Sequence, residues 1–292
     1  APYTSINITY KFEKEEEITK SDYKKRITKN LFSKMFKNRL EELVKSSEPP
    51  FIYGTSYFNS MIRTKDGFVL FAVVNDDDVL KGLQSLLIEG QRIKQYGFTH
   101  TELEREKTNF LRTIQKAFDE KNKTESRNFV REYVSHFLDN EPIPGIESEL
   151  EMFRTFLPLV SLEEMNNLTN QYMKNINRVV TVHAPKKDNV NIPNESEILN
   201  LFEKVVNIEI SPYIDAVSDE PLLPHISPPG KIVKENSHSS VGIIEWNLNN
   251  GVRVFIKPTE FKNDEILFKA FSPGGTSLSS DNDFISANLA TD

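Results

Sequence analysis

Ser5-Ile6-Asn7-Ile8-Thr9-Tyr10-Lys11-Phe12 alternates apolar and polar residues, which predicts a half-buried strand. After a charged connection, Glu13 to Lys20, the period changes. Ile27, Leu31, Phe32, Met35, Phe36, Leu40 and Leu43 recur at threes and fours, one face of an amphipathic helix. The opposite face is rich in Lys and Arg and reads as solvated. Pro49-Pro50 is expected to stop this helix. Two further strands follow at about Phe51–Arg63 and Gly67–Val74, with Lys65-Asp66-Gly67 as the turn between them. A switch from period two to period 3.6 and back predicts an α+β layer, with helices packed on an antiparallel sheet.

The pattern extends outward from there. Asn75 or one of Asp76 to Asp78 caps a helix whose buried face is Val79, Leu80, Leu83, Leu86, Leu87 and Ile93, and Gly97 ends it. Thr99-His100-Thr101-Glu102 is a capping box opening a helix through Phe118. Glu102, Glu104 and Glu106 lie on that helix beside Arg105 and Lys107, and solvated pairing is the expectation for them. Helices follow at about Glu125–Leu138 and Ser148–Phe156. Ser161-Leu162-Glu163-Glu164 reads as a second capping box, with a helix to Tyr172. Arg178 to Val182 reads as a short buried strand.

The chain has 292 residues, one large domain or two ordinary ones. Its 38% hydrophobic and 27% charged residues supply a core and exclude a disordered chain. No apolar run approaches the ~18 residues of a membrane span. The net charge of −7 lacks the basic excess of a typical nucleic-acid binder. Cysteine is absent, which removes disulfides, zinc–thiolate sites and thiol nucleophiles. The ends, Ala1-Pro2-Tyr3 and Ala290-Thr291-Asp292, read as those of a piece of a longer protein.

Composition shifts after His183-Ala184-Pro185. Seven of the 15 prolines fall between Pro185 and Gly230, around one short candidate helix near Glu195–Val206. This segment reads as an ordered linker or a wrapped loop. Strand-like sequence returns at Gly242–Leu248, turns at Asn250-Gly251 into Val252–Ile256, and continues at Ile266–Phe271. Phe284–Leu289 begins something helical.

No residue set amounts to an active site. His100, His136, His183, His225 and His238 have no second His within helical zinc-site spacing, and each reads as structural or surface. There is no G-x-S-x-G elbow, and Ser272-Pro273-Gly274-Gly275 reads as a turn. The glycosylation triplets at Asn7, Asn122, Asn167 and Asn194 read as chance matches in an Asn-rich chain.

Two stretches nevertheless carry a resemblance. One is Thr101-Glu-Leu-Glu-Arg-Glu-Lys-Thr-Asn-Phe-Leu-Arg112 with Ser161-Leu-Glu-Glu-Met-Asn-Asn-Leu168, leading into Asn177-Arg-Val-Val-Thr-Val-His-Ala-Pro185. The other is Trp246-Asn-Leu-Asn-Asn-Gly-Val-Arg-Val-Phe-Ile-Lys-Pro-Thr-Glu-Phe-Lys262, followed by Ile266–Leu278. In this order they resemble the middle of an M16 (pitrilysin or insulinase-like) zinc metallopeptidase, over nearly the whole chain.

The resemblance implies residues 1–185 as the family's second, non-catalytic domain, 186–240 as the Pro-rich linker between halves, and 241–292 as the truncated start of the third domain. Such proteins have two halves of two α+β domains that close around a peptide. Their first domain carries His-x-x-Glu-His, whose two His bind zinc with a distal Glu while the motif Glu activates water. This chain has no His-x-x-Glu-His. No catalytic, cofactor-binding or metal residue is therefore carried over, and zinc belongs to the parent protein. The implied partners are the catalytic domain of the same parent chain and its peptide substrate, and the implied setting is the periplasm or cell envelope. The interrupted third-domain strands are expected to be poorly ordered, or to pair with the first domain or with a neighbouring chain. Two rival readings are an inactive M16 homologue serving as a binding or assembly subunit, and an unrelated α+β binding module.

Overall fold

The computed structural model describes residues 2–187, 190–216, 220–221, 225–226, 228–262 and 265–290. It divides into two compact units, Ala1–Pro229 and Gly230–Asp292. Expectations for the chain ends and for parts of the Pro-rich segment fall outside the described residues.

In the first unit, β1 (Thr4–Glu13), β2 (Tyr53–Ile62), β3 (Lys65–Val74) and β4 (Arg178–His183) form one antiparallel sheet in the order β2-β3-β1-β4. Ile6, Ile8 and Tyr10 of β1 and Phe68, Leu70 and Ala72 of β3 all face one side. On that side α1 (Lys20–Val44) buries Ile27, Leu31, Phe32, Met35, Phe36 and Leu40. The aromatic rings interlock: Phe32 sits 5.4 Å from Phe68 and 5.6 Å from Phe98 between ring centroids. The remaining helices are α2 (Val79–Tyr96), α3 (His100–Asp119), α4 (Ser126–Asp139), α5 (Ile146–Phe156), α6 (Leu162–Tyr172) and α7 (Glu195–Val206). Thr99 and Glu102 form the capping box of α3, and Gly97, at φ +73°, ends α2.

Several local expectations give way to tertiary pairing. The β2–β3 turn falls on Arg63-Thr64, and Lys65 and Asp66 lie inside β3, opposite Ile62 and Ser60. Gly67 is needed for close strand approach, because a Cβ there would meet Met61 Sδ at 2.9 Å and Thr9 Cγ2 at 3.1 Å. β4 is a half-exposed edge strand, not a buried one. Helix α1 ends at Lys45, ahead of Pro49-Pro50. Ser161 accepts from the Glu164 N–H, but the Glu164 carboxylate pairs with Lys24 at 3.1 Å instead of closing a box.

The larger correction concerns charge. Arg39, on the face read as solvated, is 2% exposed, and Glu102 and Glu106, on the helix read as solvated, are 3% and 2% exposed. The Arg39 Nε and Nη2 donate to the two Glu102 oxygens at 2.7 and 2.8 Å. Nη1 donates to Glu89 of α2 at 3.3 Å, and Nη2 also reaches the Gly97 carbonyl at 3.0 Å. Glu89 pairs in addition with Arg92. Burial holds the Glu89 carboxyl above the usual range, against the pull of Arg92 and Arg39.

The Pro-rich segment straps onto this cluster. Asn194 and Glu197 cap α7 reciprocally, which occupies one of the glycosylation-type asparagines. Arg92 and Tyr96 donate to the carbonyls of Ser211 and Ile210. The Tyr213 ring lies 4.0 Å from the Arg39 guanidinium, and its hydroxyl donates to Glu42 at 2.8 Å. Asp215 accepts from Thr101 at 2.6 Å and from Arg105 at 3.1 Å.

In the second unit, β5 (Ile232–His238), β6 (Ile243–Leu248) and β7 (Arg253–Ile256) form an antiparallel meander, and α8 spans Phe284–Leu289. Strand β5 carries no strong sequence signal. Gly251, at φ +86°, supports the turn after Asn250. Ile266–Phe271 forms no strand, and Ile266 and Phe271 are 92% and 90% exposed.

Arg39→Met leaves two buried carboxylates under-compensated and should cost ~3–5 kcal/mol in urea unfolding. Glu104→Gln, on the exposed side of α3, should stay within ~0.5 kcal/mol. Burial alone would raise the Asp215 pKa, but hydrogen bonds from Thr101 and Arg105 outweigh it and hold it below the ordinary value. Its contribution is therefore present above the ordinary Asp pKa and is lost as pH falls through the lower folded value. Asp215→Asn should remove that part of the acid limb, ~1 kcal/mol given the partly exposed Arg105, in unfolding midpoints measured against pH.

Candidate functional site

The histidines do not converge. His100 opens α3 and is exposed, His183 ends β4 at the surface, and His225 is exposed. His136 Nδ1 lies 2.8 Å from the Glu141 carbonyl. His238 contacts Glu245 at 3.0 Å, and Arg253 also pairs with that carboxylate at 2.8 Å. These contacts hold Glu245 below the usual carboxylate range, the His238 hydrogen bond first. Among the described residues, no group of three or more His, Asp or Glu side chains could hold a metal ion.

The first unit instead presents two uncovered surfaces. One is the sheet face turned away from the helices. Strand alternation places Tyr53, Thr55 and Tyr57 of β2, Val69, Phe71 and Val73 of β3, and Asn7 and Thr9 of β1 there. Across β4 it continues as Val179 and Thr181, both exposed. Tyr53 meets Phe71 edge-on at 6.2 Å, and burial together with Tyr53 raises the Tyr57 phenol pKa. Lys11, Glu13 and His183 are the charge-bearing side chains of β1 and β4 on this face, and Glu13 pairs there with Lys65 of β3. A half-apolar, nearly neutral strand surface can hold extended polypeptide through side-chain packing without selecting for charge.

The second surface is helix α4, which buries no residue. Phe129, Val130, Tyr133, Val134, Phe137 and Leu138 make an apolar stripe at helical spacing, and all are exposed, Phe137 by 84%. Phe129 and Tyr133 stack at 6.5 Å. Asn140, in the left-handed conformation at φ 56°, ends the helix. The sequence predicts this helix, and its period also contains the stripe. What periodicity leaves out is whether any element covers it. A contiguous exposed apolar stripe of this kind marks an interaction surface.

Comparison with known proteins agrees with this architecture. No protein-family model matches the chain. It is 25% identical over 292 residues to "Zinc protease PQQL-like" of Arabidopsis thaliana, covering 99% of this chain and 27% of the relative. The crystal structure of the periplasmic protease PqqL from Escherichia coli superposes with a TM-score of 0.69 at 18% identity, covering 89% of this chain and 29% of that one. A predicted insulinase family protease from Yersinia pestis gives a TM-score of 0.61 at 10% identity, over 70% of this chain and 44% of that chain. The chain thus shares the α+β fold of these M16-type proteases, and it is similar in sequence to two proteins named as zinc proteases. It spans about a quarter of the length of the curated relatives it matches, 27% and 26%. Among the described residues, no helix is long and apolar enough to cross a membrane.

If the α4 stripe serves contact and not folding, its removal is harmless to this chain alone. Tyr133→Asp with Phe137→Asp should shift the unfolding free energy by less than ~0.5 kcal/mol per site, measured in urea on the 292-residue chain.

Proposed function

We propose that this chain is the non-catalytic middle of an M16-like zinc metalloendopeptidase that degrades or processes peptides. Residues 1–185 act as its second domain, 186–240 as the linker between halves, and 241–292 as the start of its third domain. The first part of that linker, through Asp215, is strapped to the second domain.

Helix α4 buttresses the catalytic domain of the same parent chain. The observation that carries this is its exposed apolar stripe, since covering one Val, Leu or Phe is worth up to ~1.5–3 kcal/mol. The open sheet face lines the chamber and confines an extended peptide. Exposed Ile266, Leu267, Phe268 and Phe271 join the remainder of the third domain, or a second copy when that remainder is missing. Zinc and the water-activating Glu belong to the catalytic domain. The E. coli relative, which is described as a periplasmic protease, supports a periplasmic or envelope setting for the parent.

The test is to co-express the 292-residue chain with the part of the parent that precedes it, and to measure co-purification and peptide cleavage with zinc present. The expected result is a stable complex that cleaves peptide, a chain that cleaves nothing by itself, and a complex lost with the Tyr133→Asp, Phe137→Asp pair. Cleavage by this chain alone, or a complex indifferent to those substitutions, would overturn the proposal.

A further inference from the structure

On the helix side of the sheet, a cavity of about 60 Å³ lies among β1, α2, β4 and α7. Its two halves differ in character. Arg178, Lys94, Tyr10, Gln91 and Asn175 give it polar walls. Leu87 and Met173, with Val205 of α7, give it an apolar floor. Lys94 and Asn175 are exposed, so the cavity opens past them, while Tyr10 is 4% exposed and closes its inner end.

Arg178 is the informative group. It sits on β4 directly across from Tyr10 on β1. Its guanidinium lies 3.6 Å from the centroid of the Phe202 ring, which fixes the plane of the fork. Arg26, Arg39 and Arg92 of this unit, also withdrawn from solvent, each face a carboxylate. Among the described residues no carboxylate pairs with Arg178 or with Lys94. A half-buried guanidinium set against apolar groups, with a second cation at the rim, is suited to an incoming oxyanion. The Tyr10 phenol is pushed up to about 12 by burial, against the pull of Arg178, and so remains a hydrogen-bond donor at neutral pH.

Size and lining select among oxyanions. At about 60 Å³ the cavity is several times the ~10–15 Å³ that holds one water. That accommodates a carboxyl group and its first carbons, with anything longer leaving through the mouth. The apolar floor disfavours phosphate, whose oxygens all require polar partners. We propose that this cavity binds an aliphatic carboxylate, its charge between Arg178 and Lys94 and its first carbons against Leu87, Met173 and Val205. The shared chemistry is that of a free short-chain acid and of a peptide C-terminus ending in a small residue. Because α7 supplies the outer wall, an occupant would also hold the Pro-rich strap against α2.

The test uses the Tm of the whole chain, since a ligand that binds the folded state raises it in a saturable way. Sodium propionate is compared with sodium chloride and with sodium phosphate at equal ionic strength. A tripeptide ending in alanine is compared with its C-terminal amide. The expected result is a saturable rise with propionate and no such rise with chloride or phosphate. Lys94→Gln and Arg178→Gln should each weaken apparent affinity ~tenfold, the loss of one charge-assisted partner, while Lys20→Gln leaves it unchanged. Lys94 is exposed at the rim, so its variant keeps the test valid where Arg178→Gln disturbs β4. Tighter binding of the free tripeptide than of its amide assigns a peptide C-terminus; a response to propionate alone assigns a free acid. A phosphate response equal to that of propionate, no saturable response to either carboxylate, or wild-type affinity in Lys94→Gln would overturn the proposal.

Discussion

The buried Arg39 guanidinium sets the geometry of the first unit. It belongs to α1, yet its partners are Glu89 of α2, Glu102 of α3 and the Gly97 carbonyl between them. Glu102 Oε2 accepts from Arg39 at 2.8 Å and from the Thr99 N–H at 2.7 Å. One carboxylate therefore caps α3 and neutralises a cation from α1. The start of α3 cannot slip by a residue without losing both. Gly97 is constrained from two sides, because its φ is +73° and a Cβ would meet Asn166 Nδ2 at 2.3 Å. A buried pair of this kind adds little net stability over an apolar substitute, but removing one partner is costly. Its value lies in fixing a single arrangement of three helices.

The same cluster gives the Pro-rich segment an attachment. Tyr213 lies over Arg39, and Asp215 takes Thr101 and Arg105 from the first two turns of α3. A strap that closes on a buried charge excludes water from it, which strengthens the pairs beneath. Stability of the core and attachment of the strap are thus coupled through one side chain.

How much of this was legible in the sequence depends on range. Alternation marks β1, periodicity marks α1 and α2, and the local chemistry of Thr99 and Glu102 marks the start of α3. Each signal lies within a few residues. Glu102 reads correctly as a cap, while its second partner stands 63 residues away in the chain and has no local trace. Arg39 looks like one more cation on a basic helix face, because composition favours exposed arginine. The turn at Arg63-Thr64 is set by pairing of β3 against both neighbours, which overrides the local Asp66-Gly67 signal. The stripe on α4 is present in the sequence as a period, but coverage is a property of neighbours. The carboxylate cavity is less legible still, since β1, α2, β4 and α7 each supply a wall.

Burial in this molecule departs from the usual sorting in two directions. Charge is placed inside, at Arg39, Glu89, Glu102 and Glu106, while large apolar groups stand outside on α4 and along 266–271. The buried charges are satisfied within the first unit, apart from Glu106 Oε2, so they need nothing further. The exposed apolar groups have no such closure. Hydration of an apolar surface costs ~25 cal/mol per Å² relative to burial, and a helix with no buried residue gains nothing from packing to offset it. A chain that resolves its difficult interior charges but leaves easy apolar surface uncovered has the surface that contact with further polypeptide would use. That agrees with relatives nearly four times as long, and it directs the search for function to the exposed apolar faces of α4 and of residues 266–271.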